Sequence, residues 1–316
     1  MCSRYGNFSA DLGPSWYWPE INPELTQLIN ELGLEGYPQF EKGNGRFQYA
    51  DGTVATVRGY ASEPESWRLY GGMISIIDGL VDRIDSSDIR CSQPVCEIRR
   101  EDHSGVSVCV GDLEQEDKIQ YIADKVILAL PPRLAASSIL FTPDLSHELT
   151  QAMLKTSTWM AGQAKFYALY EKPFWRQREL SGQAFSQTGP LSEIHDGSNE
   201  NTGPYGLTGF VGVPPFQRRD RQMILKQIFS QLSAVFGGPA ESALKFYYQD
   251  WAYESFTATE FDQTAIHEHP LYSPPDGTTS IWNGMVQFAG SETSGRFAGY
   301  LQGALESARR AVSRIL

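Results

Sequence analysis

The stretch FAGSETSGRFAGYLQGALESARRAV, residues 288–312, joins a strand, a glycine-bearing loop and a helix in immediate succession. The short apolar run at residues 285–289 predicts the strand, and Gly290 predicts the turn that follows it. From Leu301 onward the apolar residues recur at the spacing of an amphipathic helix. We therefore expect a strand, a loop and a helix whose apolar face is buried.

The start of this helix is suited to contact with a ligand. Gly299 and Gly303 lie about one helical turn apart, and without Cβ atoms they let another backbone or a flat ring approach closely. Three arginines near the other end, Arg309, Arg310 and Arg314, complement the helix dipole. The N–H groups at the N-terminal end can then face an electron-rich ligand. A plain C-terminal helix packed on a sheet would show the same pattern.

Three further segments contain characteristic sequence motifs. They are DLGPSWYWP at residues 11–19, KVILALPPRLAASSILFTPDL at 125–145 and AKFYALYEKPFW at 164–175. Together with FAGSET and GYLQGALES they resemble, in the same order, four motifs of the flavin-containing amine oxidases, the monoamine and polyamine oxidase family. The resemblance spans almost the whole chain. It implies an α/β, FAD-binding flavoprotein fold of Rossmann-like type with an interleaved mixed-sheet substrate lobe.

The resemblance also implies a domain plan, a single amine-oxidase-like domain over residues 1–316. The FAD-lobe segments are 1–36, 71–150 and 276–316, and the substrate-lobe segments are 37–70 and 151–275. The family opens with a βαβ unit whose G-x-G-x-x-G turn holds the ADP half of FAD at a helix N-terminus. This sequence has no such turn after a strand, and Gly43-Asn44-Gly45 reads as a hairpin-like turn. We expect the N-terminal βαβ unit to be missing and FAD binding by this chain to be weak or absent.

Elsewhere the hydrophobic periodicity predicts ordinary elements. The predicted helices are 23–34, 74–84 and 220–236, and the predicted strands lie within 37–57, 89–98, 105–111, 120–130 and 161–170.

The family's long helical insertion is replaced by the few residues between Gly59 and Trp67. This difference predicts a compact member with a more open or a differently roofed pocket, and it leaves the substrate class undetermined.

Composition excludes several function classes. A formal net charge of −12 argues against a nucleic-acid partner, which requires a basic surface. The sequence shows no apolar run of membrane-spanning length and no signal peptide, so we expect a cytoplasmic protein without a membrane partner. Its four cysteines form no zinc-type pairs, and its histidines form no H-E-x-x-H motif. We therefore expect no metal site, and the oligomeric state stays open.

Three residues are candidates for catalysis. Lysine is rarely buried unless it is paired or functional, and Lys165 lies on a predicted strand. In the family a lysine with the same spacing to a Phe-Trp pair holds a water at the flavin's reactive nitrogen and assists O2; Lys165 has this spacing to Phe174. A solvated lysine at a strand edge is the alternative. By the same resemblance, Tyr300 and Phe261 match the aromatic walls that flank the amine, although ordinary core packing would also explain Phe261.

Further residues match positions that contact FAD in the family. They are Pro14, Ser15, Trp16, Val95, Trp251, Gly290, Ser291, Glu292 and Leu301. The backbone N–H of Leu301 would face the flavin pyrimidine, where it would stabilise negative charge. Monoamine oxidases carry a flavin-linking cysteine at the position of Glu260. The resemblance therefore implies non-covalent FAD.

The reaction implied by the resemblance is FAD-dependent oxidation of the C–N bond of a small-molecule amine, with O2 as electron acceptor. Two alternatives stay open. One is a flavin dehydrogenase that acts on C–C bonds on the same fold. The other is a flavin-free truncated homologue that acts as a non-catalytic or binding protein, because fold does not guarantee activity.

Overall fold

The computed structural model describes residues 2–5, 8–101, 105–111, 119–199, 203–264, 269, 275, 277–278 and 281–315. The chain divides into two units, each assembled from separate segments of sequence. The first unit contains Met1–Arg83, Gly162–Tyr253 and Gln263–Ala265, and the second contains Ile84–Ala161, Glu254–Asp262 and Ile266–Leu316. The assignment of segments to an FAD lobe and a substrate lobe stays a prediction.

Runs of consecutive strands are separated by single helices along the chain. The strands are β1 (Cys2–Tyr5), β2 (Phe8–Asp11), β3 (Gly36–Pro38), β4 (Asn44–Gln48), β5 (Val54–Val57), β6 (Trp67–Leu69), β7 (Val95–Arg100), β8 (Val106–Val110), β9 (Ile119–Ala123), β10 (Val126–Leu128), β11 (Leu140–Thr142), β12 (Ala164–Tyr170), β13 (Leu180–Ser186), β14 (Leu191–Asp196), β15 (Tyr205–Val211), β16 (Lys245–Asp250) and β17 (Val286–Phe288). The helices are α1 (Pro23–Glu31), α2 (Ile74–Val81), α3 (Pro132–Ser138), α4 (His147–Lys155), α5 (Arg221–Phe236) and α6 (Leu301–Ile315).

The first unit is built around a mixed sheet with the strand order β16-β12-β15-β14-β13-β4-β5. One face of this sheet packs against α5, whose buried residues include Ile224, Ile228 and Leu232. The Asp220 side chain begins α5 by accepting a hydrogen bond from the Met223 N–H at 3.0 Å. The side chains of β12 are buried on both faces, because α5 packs against one face and residues Ala10 and Leu12 pack against the other.

Alternation along β12 separates two environments. Phe166 and Ala168 point into the apolar core shared with α5. Tyr167 and Leu169 point to the other face, where they pack with Leu12 from the segment after β2. Lys165 belongs to this second face, so the fold brings residues 11–19 to the face that carries the lysine.

The second unit contains a sheet with the order β11-β7-β8-β9 and a parallel pair, β10 with β17. Its core combines residues from several of these elements, such as Ile98, Phe141, Met153 and Phe288. Helices α3 and α4 follow β10 and contribute Ala135 and Met153 to that core. Among the described residues, a helix with the length and hydropathy of a bilayer-spanning segment is absent.

The bounds of α6 and β17 confirm the predicted strand, loop and helix at the C-terminal end. The prediction that α6 buries an apolar face is wrong. The fully buried side of the helix is formed by small and polar residues, Gln302, Gly303, Ser307 and Ala311, whereas Val312 is exposed. Arg310 contributes to this polar packing. Its guanidinium donates hydrogen bonds to the carbonyl and hydroxyl of Thr293 and to the carbonyl of Phe288, the last residue of β17.

Two other local predictions differ from the structure. Gly43-Asn44-Gly45 forms no hairpin turn, because Asn44 and Gly45 belong to β4, which pairs with β13 and β5. The predicted strand 120–130 is divided into β9, which pairs with β8, and β10, which pairs with β17. The chain turns at Gly52, between β4 and β5: Gly52 has a positive φ, and the Thr53 N–H donates to Asp51 Oδ1 at 2.9 Å.

Candidate functional site

The loop after β2 is fixed against the large sheet of the first unit. Leu12 is buried beside Tyr167 and Leu169, and the Trp251 indole N–H donates to the Leu12 carbonyl at 2.7 Å. The backbone of Gly13 runs beside the same indole, so that a Cβ there would lie 3.7 Å from the Trp251 ring. These contacts orient the carbonyl of Gly13 and the side chain of Ser15 toward β12.

Lys165 is the centre of this arrangement. Its side chain is almost completely buried, at 3 % exposure, and its Nζ donates to the Gly13 carbonyl at 2.8 Å and to Ser15 Oγ at 2.6 Å. The ammonium also lies 5.1 Å from the centre of the Phe210 ring and 5.5 Å from that of Trp16. An ammonium group has three N–H donors, so these contacts with described residues leave one for a ligand. The alternative of a solvated lysine at a strand edge is therefore wrong.

The electrostatic setting of Lys165 is also unusual. Burial lowers the pKa of Lys165 from its ordinary value to about 7, although the carboxylates of Asp11 and Glu193 oppose the shift. The lysine can therefore change its charge near neutral pH. Lysines with this property are enriched at functional sites.

Asp11 and Arg68 form a second buried pair next to this lysine. Arg68 Nη2 lies 3.4 Å from Asp11 Oδ2, and Asp11 Oδ1 accepts the Met73 N–H at 2.9 Å at the start of α2. Burial raises the pKa of the Asp11 carboxyl, while Arg68 acts to lower it. Neither residue is among the site residues predicted from the sequence, although Asp11 was a visible signal as an acidic residue two positions before Gly13.

In the second unit, the predicted cofactor residues follow β17 directly. Gly290 is required by packing, because a Cβ there would lie 2.6 Å from the Leu130 carbonyl oxygen. Ser291 and Glu292 begin the short helical turn Ser291–Thr293. Burial raises the pKa of the Glu292 carboxyl. The segment therefore presents a hydroxyl and a carboxyl beside a glycine turn, which are groups suited to the hydroxyls of a sugar or ribityl chain.

The start of α6 has the close packing that its glycines predict. A Cβ on Gly303 would lie 2.2 Å from the Phe297 carbonyl oxygen, so a neighbouring backbone does approach the helix there. Gly299 has a positive φ and lies against Trp159 and His269. Leu301 is the first residue of the helix, as the sequence predicts.

Tyr300 belongs to an aromatic cluster of the second unit. Its ring stacks on His269 with centroids 5.3 Å apart, and it meets Trp159 edge to face at 5.5 Å. Phe261 is 53 % exposed and lies instead near Arg133, whose guanidinium carbon is 5.9 Å from the ring centre. Tyr300 and Phe261, the two residues predicted to flank the amine, therefore contact different neighbours.

The predicted site residues fall into sets that the fold brings together. Ser15, Trp16 and Trp251 surround or support Lys165 within the first unit, and Pro14 is an exposed residue of the same loop. Those of the second unit are Gly290, Ser291, Glu292, Tyr300, Leu301, Phe261 and Val95, the last of which begins β7. Their roles toward a cofactor or substrate stay predictions.

Comparison with known proteins identifies the family. The family described as flavin containing amine oxidoreductase matches residues 53–316. The chain belongs to the flavin-containing amine oxidoreductases. Similar curated proteins include a putative flavin-containing monoamine oxidase of Mycobacterium tuberculosis, 29 % identical over 226 residues, which cover 69 % of this chain and 46 % of that protein. Another is putrescine oxidase of Kocuria rosea, 27 % identical over 270 residues, which cover 79 % of this chain and 52 % of that protein.

Solved structures of amine oxidases share the fold. A putrescine oxidase bound to putrescine superimposes with a TM-score of 0.78 at 18 % identity, over 100 % of this chain and 90 % of that one. Cyclohexylamine oxidase from Brevibacterium oxydans gives a TM-score of 0.74 at 18 % identity, over 97 % of this chain and 87 % of that one. This similarity confirms the predicted α/β flavoprotein fold. The chain spans about half the length of the curated relatives that it matches.

The family's cofactor is FAD, and the residues present fit such a group. Lys165 is a buried cation with one N–H donor remaining for a ligand. At Gly290 the backbone packs against the Leu130 carbonyl, and the side chains of Ser291 and Glu292 come directly after this turn. Leu301 is the first residue of α6, so its backbone N–H lies at the N-terminal end of the helix, where the helix dipole favours an electron-rich ligand. Both electron-rich and hydroxyl-bearing parts of a flavin nucleotide thus have suitable partners in this chain.

Proposed function

We propose that this protein is an FAD-dependent oxidoreductase that oxidises the C–N bond of a small-molecule amine, with O2 as the electron acceptor. The observation that supports this most directly is Lys165, a nearly inaccessible lysine held by Gly13 and Ser15 with its pKa lowered to about 7. When bound, FAD supplies the two-electron chemistry, and the protein supplies binding, orientation and electrostatics.

Each residue has a role in this proposal. The residues that would hold FAD are Pro14, Ser15, Trp16, Val95, Trp251, Gly290, Ser291, Glu292 and Leu301. Lys165 would supply positive charge where O2 is reduced, because a preorganised cation is most effective in a site that excludes water. Tyr300 and Phe261 would contact the amine with their rings, which favour cationic and apolar groups alike. Glu260 leaves the flavin without a thioether link.

Anaerobic mixing of the flavin-loaded protein with candidate substrates tests this proposal. A small panel of primary and secondary amines should bleach the flavin absorbance, and admission of O2 should restore it. Polyenes and porphyrinogens, the substrates expected of a C–C dehydrogenase, should leave the absorbance unchanged. Bleaching by these compounds alone would overturn the proposal, and so would a protein that takes up no flavin under any loading condition.

A further inference from the structure

The hydrogen bonds of Lys165 match those of a neutral amine. Among the described residues its Nζ contacts two acceptors, the Gly13 carbonyl at 2.8 Å and Ser15 Oγ at 2.6 Å. Ser15 is free to accept because its own hydroxyl is directed at the Asp11 carbonyl, at 3.5 Å. A neutral lysine amine has two N–H donors and one lone pair. Both donors are then used, and the lone pair has no partner among the described residues.

Within the part of the chain that the structure describes, no carboxylate forms an ion pair with Lys165. The Asp11 carboxylate is used elsewhere, because Oδ2 lies 3.4 Å from Arg68 Nη2 and Oδ1 accepts the Met73 N–H at 2.9 Å. Burial lowers the pKa of Lys165 to about 7, and the positive charge of Arg68 adds to this shift. The charges of Asp11 and Glu193 oppose it only in part. A large fraction of Lys165 is therefore neutral at neutral pH.

Two aromatic rings lie beside Nζ. Phe210 on β15 is the register partner of Lys165, with its ring centre 5.1 Å from Nζ, and the ring centre of Trp16 is 5.5 Å from Nζ. Both aromatic residues are partly exposed, so a small molecule with an apolar chain can pack on them and place a polar end next to the lysine. The near absence of solvent at Lys165 also protects a product formed there from hydrolysis.

These features are those of a nucleophilic lysine. A lysine that is desolvated among apolar groups is activated as a nucleophile and forms imines with carbonyl compounds. Aldehydes are the carbonyl compounds that react most readily with amines. The proposed function generates an aldehyde, because oxidation of a primary amine gives an imine that water hydrolyses to an aldehyde and ammonia. This product is released at the site that contains Lys165.

We propose that Lys165 is a modification site that captures aldehydes as a reversible imine, and that the aldehyde product of amine oxidation thereby inhibits the enzyme. The Nζ lone pair attacks the carbonyl carbon and forms a C–N bond. The two amine protons and the aldehyde oxygen then leave as water, which gives a C=N bond without any change in oxidation state. Addition of water reverses the step. Inhibition by the product rests on the proposed function, whereas capture of an added aldehyde does not.

The pH dependence of capture distinguishes Lys165 from an ordinary lysine, because only the neutral amine reacts. At pH 7 about half of Lys165 is neutral, in contrast to fewer than about one in a thousand molecules of an ordinary exposed lysine. Between pH 7 and pH 9 the neutral fraction rises about twofold for Lys165 and about 100-fold for an ordinary lysine. The reactivity of Lys165 relative to an exposed lysine should therefore be highest near neutral pH.

Reductive trapping with butanal tests capture without turnover. The full chain is incubated with butanal and cyanoborohydride, and peptide mass spectrometry locates the butyl groups. At pH 7, Lys165 should be labelled at least about tenfold faster than Lys172, an exposed lysine just after β12, even though burial slows access. The ratio of the two rates should fall about 50-fold between pH 7 and pH 9. Because both residues are labelled in one sample, the ratio cancels the effect of pH on the reagents.

Two controls assign the selectivity to the folded environment of Lys165. In urea, Lys165 and Lys172 should be labelled at similar rates. Lys165→Arg retains a positive charge and forms no imine, so its peptide should stay unlabelled while Lys172 is labelled as in the parent. Labelling of Lys165 no faster than that of Lys172 in the folded parent, or a constant ratio between pH 7 and pH 9, would overturn the proposal.

Reoxidation of the flavin-loaded protein tests inhibition by the product. After reduction by dithionite, reoxidation by O2 should slow more than about tenfold in butanal, because a neutral imine lacks the charge of Lys165. Removal of the aldehyde should restore the rate, and butanol, which has the same chain without a carbonyl, should have no effect. A rate unaffected by butanal would overturn inhibition at Lys165. Failure of the proposed function has a different signature: no amine would bleach the flavin, while butanal would still label Lys165.

Discussion

At the scale of single residues, Lys165 combines features that a structural lysine would not need. A buried ammonium costs free energy unless it is paired, and here its acceptors are a carbonyl and a hydroxyl, while the carboxylates of Asp11 and Glu193 act on it only at longer range. The depressed pKa of Lys165 shows that burial, together with the positive charge of Arg68, outweighs those two carboxylates. Such an unfavourable group is usually retained because a ligand or a reaction uses its charge.

The first prediction separates the two halves of the proposed reaction. Lys165→Met keeps the length and apolar packing of the side chain and removes the charge. In the flavin-loaded protein, anaerobic reduction by amine should change by less than about tenfold, or about 1.4 kcal/mol of barrier. Reoxidation by O2 should slow on the order of 100-fold, because negative charge develops at that step. Stopped-flow absorbance measures both rates, and equal reoxidation rates in variant and parent would return Lys165 to a structural role.

The second prediction concerns stability against pH. Between the native pKa of about 7 and the ordinary value of 10.5, Lys165 is neutral when folded and protonated when unfolded. The unfolded state then binds more protons, so the free energy of unfolding rises with pH in this window. Relative to Lys165→Met, the parent should gain about 2 kcal/mol between pH 7 and about pH 9 in urea titrations.

A solvent-exposed lysine provides the control for that measurement. Lys172 lies just after β12 and is exposed, so Lys172→Met should show no such pH-dependent difference from the parent. A flat difference between the parent and Lys165→Met across the same pH range would show that Lys165 keeps its ordinary titration.

At the scale of elements, the strand, glycine turn and helix at the C-terminal end could be predicted because their pattern is local. The bounds of α6 follow from periodicity, and Gly299 and Gly303 occupy positions that only glycine tolerates. The buried face of α6 could not be predicted, because burial of Gln302 and Ser307 depends on which elements pack against the helix. Periodicity measures side-chain hydropathy and contains no information on the partner.

Contacts between residues far apart in the chain could not be predicted from the sequence either. Lys165 and Ser15 are 150 positions apart, so a hydrogen bond between them depends on sheet order and on the path of the loop after β2. The common partner of Lys165 and Glu193, Phe210, was missed for the same reason. Alternation in LSEIHD at residues 191–196 was the available signal, but it does not state which face of the strand is buried.

The third prediction tests the packing of α6. Gly303→Ala places a Cβ 2.2 Å from the Phe297 carbonyl oxygen and 3.1 Å from Ser294 Cβ. Overpacking against backbone should cost about 1–3 kcal/mol, which exceeds the gain of about 1 kcal/mol in helix propensity. The net result in denaturant titration should be destabilisation. Gly295→Ala is the control, since a Cβ there meets nothing within 4 Å and should change stability by less than about 0.5 kcal/mol. A stabilised Gly303→Ala protein would show that the loop at Phe297 moves away.

At the scale of the whole molecule, family membership and fold agree, and the residues proposed to act on flavin and amine belong to separate segments of the chain. The sheet of the first unit provides Lys165 and its loop, and the second unit provides the turn at Gly290 and the start of α6. Similarity to amine oxidase structures below a fifth of identical residues shows the fold alone. The manner in which flavin is retained is therefore a property that must be tested on this chain.

The last prediction is that any flavin in this protein is held without a covalent bond. A thioether to flavin requires a cysteine thiolate, and the residue at the linking position of the monoamine oxidases is Glu260, whose carboxylate cannot form that bond. Denaturation of the flavin-loaded protein in acid should release all yellow colour to the supernatant. Glu260→Cys supplies a thiol at this position and is the informative comparison, because colour retained by its pellet alone would assign the linkage to residue 260. Colour retained by the parent's pellet would contradict the prediction and point to one of the other cysteines, of which Cys91 is exposed.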